Sequence, residues 1–118
     1  MKIKTSELTG AALDWAVAKC EGDASFGLTC EGTKRTALLC IENIWRKFSP
    51  SQNWQQAGLI IERDRIELAS YGDRWQAVAH LESESIYERG ETPLIAAMRC
   101  YVASKLGDEI EIPNELAA

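Results

Sequence analysis

The chain has 118 residues, 46% hydrophobic and 26% charged, with a formal net charge of −5. Those values fit one folded domain spanning residues 1–118 and exclude the low-hydrophobicity, high-charge mix that keeps a chain disordered. No apolar run approaches the ~18 residues of a membrane span, and Met1-Lys2-Ile3-Lys4-Thr5-Ser6-Glu7 lacks a signal peptide's apolar block, so a cytoplasmic protein is expected. An acidic chain also disfavours nucleic acid as a partner, because phosphate-backbone binding needs many Lys and Arg on one surface.

After a short extended start, Leu13, Ala16, Val17 and Cys20 fall on one stripe at helical spacing and Gly22 follows as a stop, which predicts a helix over residues 9–21. Trp15 projects nearly opposite that stripe. It is expected on the outer face, against a loop or at a subunit interface. Residues 24–31 alternate, with Ala24, Phe26, Leu28 and Cys30 on one side, and read as a strand. Ala37, Leu38, Ile41, Ile44, Trp45 and Phe48 share an arc at 3.6-residue spacing, which favours a second helix, although a short β-rich insertion carries the same apolar density.

Residues 49–58 lack an apolar period and are rich in Ser, Pro, Asn and Gly, so they read as a loop carrying Trp54. Leu59-Ile60-Ile61 and Ile66-Glu67-Leu68 read as short strands. Trp75, Ala77, Ala79 and Leu81 then alternate against Gln76, Val78 and His80, which predicts an antiparallel hairpin or meander with His80 on its polar face. The best-defined element starts at the Thr92 cap and Pro93, carries Leu94, Ile95, Met98, Tyr101, Val102 and Leu106 on one stripe, and stops at Gly107. Its other side holds Ala96, Cys100 and Ala103, small enough for a second backbone to approach, so the helix is either central or at a dimer interface. Ile110 and Ile112 alternate with Glu109 and Glu111 as a charged edge strand. The expected architecture is α+β: a small antiparallel sheet packed with two to three helices, the C-terminal helix central.

Three blocks resemble the NinX-type proteins of lambdoid phages. They are Leu13-Asp14-Trp15-Ala16-Val17-Ala18 with Cys20-Glu21-Gly22; Ser49-Pro50-Ser51 with Asn53-Trp54 and Ile60-Ile61-Glu62; and the run from Thr92 to Ser104 continued by Leu106-Gly107-Asp108-Glu109. Residues 24–47 and 70–90 match poorly, and Gln52, Ala57 and Leu59 stand where the family usually has Thr, Gly and Pro. The resemblance implies a phage or prophage origin and action in the bacterial host cytoplasm. It supplies no reaction; by analogy with other phage accessory proteins it favours a host-directed or defence-countering role.

The residues themselves favour binding over catalysis. His80 is the only histidine, no Cys lies near it in sequence, and neither GxSxG nor a phosphate-binding glycine motif is present. Cys20, Cys30, Cys40 and Cys100 show no metal-ligand spacing, so zinc and other cofactors are not expected and four reduced thiols are. Trp54 on a polar loop offers apolar area that something must cover, either the protein's own core or a planar ligand stacked on the indole with Ser49, Ser51 and Asn53 beside it. Arg63, Arg99 and the helix start at Thr92 are the candidate partners of an anionic group. The leading expectation is therefore a non-enzymatic, homo-oligomeric protein that binds a small ligand or a host protein. One rival is a metal-dependent hydrolase built on Glu62, Asp64 and Glu67, against which stand Arg63 and Arg65, interleaved as on a solvated strand edge. The other is regulation by protein contact alone, through Trp15 and the Ala96, Cys100, Ala103 face.

Overall fold

A computed structural model describes residues 1–21, 25–31, 34–41 and 44–116. In chain order these form β1 (Lys2–Lys4), α1 (Gly10–Glu21), β2 (Ser25–Glu31), β3 (Lys34–Ile41), β4 (Ile44–Lys47), α2 (Trp54–Asp64), β5 (Glu67–Tyr71), β6 (Arg74–His80), β7 (Ser85–Gly90), α3 (Pro93–Leu106) and β8 (Glu109–Glu111). Single 3-10 turns occupy Thr5–Glu7 and Asn114–Leu116. Among the described residues the strands make a β1-β8 pair and two antiparallel three-stranded sheets, β2-β3-β4 and β5-β6-β7, which gives the expected α+β class. No described helix is long and apolar enough to cross a membrane.

Helix α3 is the centre of the molecule. Thr92 caps it, its Oγ1 accepting from Ile95 N at 3.1 Å, Pro93 supplies the preset φ of a first helical residue, and Gly107 at φ +90 lets the chain turn away. Leu94, Met98, Tyr101 and Val102 are buried, and so are Ala96, Cys100 and Ala103 on the other side. The close approach that the small residues permit is made within the chain. Cys100 Sγ donates to Ile86 O of β7 at 3.4 Å, and a Cβ on Gly90 would come within 2.6 Å of Ala96 N. Helices α1 and α2 pack on α3 from another side, and α1 also lies against β2 and β3.

Three expectations are corrected. Residues 34–41 and 44–47 form β3 and β4, with Ile41 paired to Ile44, and not a helix. The apolar run fits helical and strand spacing alike, and antiparallel pairing of β3 with β2 and β4 decides for the strand. The loop ends at Asn53, whose Oδ1 accepts from Gln56 N at 3.2 Å and caps α2, so Trp54 opens a helix. Leu59-Ile60-Ile61 lies inside α2 and is not a strand: Ala57 and Ile60 are buried at the i, i+3 spacing of a helix while Leu59 is 71% exposed. Helical geometry thus overrides the strand propensity of that apolar triplet. Trp15 is half-buried and packed on the core, with the Lys19 ammonium 5.4 Å from its ring centroid. Ala12, Leu13, Asp14, Ala16, Val17 and Ala18 of α1 are buried, while Ala11 and Trp15 are half-buried and Lys19 is exposed along the side away from the stripe.

Candidate functional site

The residues expected to meet a ligand are dispersed by the fold. Near the start of α2, Ser49 N donates to Gln56 Oε1 at 2.7 Å, Ser51 N donates to Asp14 Oδ1 at 2.9 Å, and Asn53 is occupied as the cap. These groups build the turn that launches α2. Trp54 is 58% exposed beside them, but Arg63 lies nine residues along the helix, roughly 14 Å away at 1.5 Å per residue. Leu59, also exposed, projects about 140° around α2 from Trp54, so the two do not make one patch.

Arg63 is engaged within the chain: it pairs with Glu21 at 3.0 Å and Asp64 at 3.1 Å and donates to Tyr101 Oη at 3.1 Å. The hydrogen bond to Glu21 is the main reason its affinity for a proton rises further. The acidic trio of the hydrolase reading is divided between two elements, the end of α2 and the start of β5, which corrects the single strand edge assumed for it. Asp64 faces Arg63 and Lys105, whereas Glu67 pairs with His80. No cluster of three metal-ligating side chains occurs among the described residues. The imidazole itself is exposed and hydrogen-bonded, with Nδ1 2.9 Å from Ser85 Oγ and Nε2 on Glu67.

Arg99 is different. Thr92 caps α3 and Arg99 sits on it, where Arg99 Nε donates to Leu8 O at 2.7 Å while Nη1 donates to Arg89 O at 2.8 Å. These bonds hold the guanidinium half-buried at the end of β7. They use two of its five N–H groups, and no carboxylate among the described residues pairs with it. Burial is the largest influence on its acidity and lowers its pKa, Arg74 acts in the same direction, and Glu88 and Glu91 oppose them. A charge this confined gains from any anion that replaces the lost water.

The space beside it is a cleft of about 530 Å³ lined by Arg99, Arg74, Arg89, Gln76, Tyr87, Glu88 and Ser6. Strand alternation places Arg74 and Gln76 of β6 on the same side of the sheet as Tyr87 and Arg89 of β7, since Gln76 is directly opposite Arg89 in the register. Tyr87 is 60% exposed, a ring face open to a planar group. Arg89 stacks over Tyr71 at 4.0 Å, and Arg74 is exposed. Sequence reasoning found Arg99 but missed the other lining residues. The signal was the period-2 placement of Arg74 and Gln76, and of Tyr87 and Arg89, legible only once β7 is recognised as a strand.

Fold and cleft together define a small α+β protein with an arginine-lined depression at the edge of its β5-β6-β7 sheet. The family model described as "Bacteriophage P22, NinX" matches residues 4–105, and the chain belongs to that family, a phage accessory protein as the three sequence blocks implied. No individual curated protein matches the sequence.

Proposed function

We propose that this phage accessory protein acts in the host cytoplasm as a binding protein, without turnover, and holds a small ligand with an anionic and a planar part in the Arg74–Arg99 cleft. The observation that carries this reading is Arg99, half-buried with unused N–H groups, beside Arg74 and the open ring of Tyr87. Stacking on an aromatic is worth about 1–3 kcal/mol in nucleic-acid binders, and a comparable gain on Tyr87 would add tenfold or more to affinity. The stacking role expected of Trp54 is better supported at Tyr87, because Tyr87 lines the same cleft as Arg74, Arg89 and Arg99. With a net charge of −5 the attraction must come from these local cations, so binding should depend only moderately on salt.

Native mass spectrometry of the protein purified from phage-infected cells tests the reading. Wild-type protein should carry an added small-molecule mass that Arg74→Gln loses while keeping its fold. Equal retention by both proteins, or none by either, would contradict it.

A further inference from the structure

Glu88 lines the same cleft as Arg99, yet the two charges are not paired. No ion pair within 4.0 Å joins them, and the Glu88 carboxylate has no hydrogen-bonded partner among the described residues. Both are half-buried, so each has lost part of its hydration without receiving the other in exchange. Burial raises the Glu88 carboxyl above its ordinary range, Arg99 opposes that rise and Asp108 adds to it. Beyond Glu88 a second depression of about 360 Å³ shares Glu88 and Ser6 with the first and continues to Asp108, Glu109 and Lys4. The two depressions adjoin at Glu88 and Ser6, with arginines around the first and two further carboxylates, beside Lys4, around the second.

We infer that the ligand is a zwitterion: its anionic group lies on Arg99 and Arg74, and its ammonium group faces Glu88 from the side of Asp108. This rests on the anion-binding reading above and adds the second charge. A simple anion would leave Glu88 facing like charge, whereas an ammonium between Glu88 and Asp108 relieves their mutual repulsion. The same arrangement discriminates against dianions, which place negative charge on Glu88.

The test is calorimetric titration of the full chain with four ring-bearing probes: benzoate, benzylamine, phenylalanine and 4-(aminomethyl)benzoate. The last two carry both charges at short and long separation. At least one of them should bind ten times more tightly than benzoate and than benzylamine. Glu88→Gln should remove that gain while benzoate still binds, at least as tightly as to wild-type protein, because a like charge has left the cleft; Asp108→Asn, at an exposed position, should reduce the gain and serves as the second variant if Glu88→Gln does not fold. If benzoate binds wild-type protein but neither zwitterion binds better, or if the gain survives both substitutions, the inference is overturned and anion binding stands. If no carboxylate probe binds at all, the anion-binding reading falls with it.

Discussion

Tyr101 Oη donates a 2.7 Å hydrogen bond to Glu21 Oε2, tying the middle of α3 to the last residue of α1. Arg63 from the end of α2 reaches both groups, so one phenol, one carboxylate and one guanidinium join the three helices. Burial, then the bond to Glu21, raises the Tyr101 hydroxyl well above the ordinary tyrosine range. Tyr101→Phe removes a charge-assisted bond but leaves Glu21 paired with Arg63, and should cost about 1–2 kcal/mol with the fold intact. Urea unfolding measures this; an unchanged midpoint would show that the bond contributes nothing net.

Asp14 is 5% exposed and accepts from Ser51 N, with its carboxyl pushed up to about 6 by burial and restrained by that backbone bond. Because the folded value lies above the ordinary 3.8, the folded state holds more protons between about pH 4 and 6. The group's contribution is therefore most favourable below pH 4 and is lost as pH rises through 6, a change of about 3 kcal/mol at 1.36 kcal/mol per unit. Asp14→Asn keeps an acceptor for Ser51 and should flatten this part of the stability profile. A profile from pH 4 to 6 with the same slope in both proteins would assign it to other groups.

Gly90 is needed for contact rather than for an unusual turn. A Cβ there would meet Ala96 N at 2.6 Å and Ile95 Cγ2 at 2.8 Å, and backbone cannot yield as a flexible side chain does. Gly90→Ala should push β7 from α3 and destabilise the protein by about 1–3 kcal/mol. Thermal unfolding checks it, and a melting temperature equal to wild type would mean that the strand and helix are not so closely packed.

Cys100 is fully buried and its thiol is pushed up to about 12, chiefly by burial and further by Glu88. Since the thiolate is the reacting species, Cys100 should resist iodoacetamide at about pH 8 in native protein and react on unfolding, when all four cysteines should be alkylated. Peptide mapping after timed alkylation measures both. Rapid native modification of Cys100 would show that β7 opens readily from α3.

The elements bounded by strong local chemistry were legible in the sequence. Thr92-Pro93 and Gly107 marked α3 at both ends, and the alternation from Trp75 to Ala79 marked β6. The failures had physical causes. Leu59-Ile60-Ile61 carries strand propensity, but Asn53 as a cap and the burial of Ala57 and Ile60 commit it to α2. The apolar run through Ala37 and Ile41 fits helical and strand periods alike, and long-range pairing decides between them. Of the candidate site residues, Arg99 lines the cleft, Thr92 and Asn53 serve as caps, and Arg63 is held by Glu21. The cleft itself was hidden because Arg74, Tyr87 and Arg99 converge only through sheet register and the packing of α3 on β7.

The central claim is that the confined charge of Arg99 and its neighbour Arg74 receives an anion. Guanidinium NMR resonances followed during titration with benzoate at constant ionic strength test it most directly. Saturable shifts should appear at Arg99 and Arg74, with Arg63 unmoved because Glu21 already holds it, and Arg74→Gln should weaken the Arg99 response at least threefold. Uniform, non-saturating shifts across all arginines, or shifts confined to Arg63, would contradict the account.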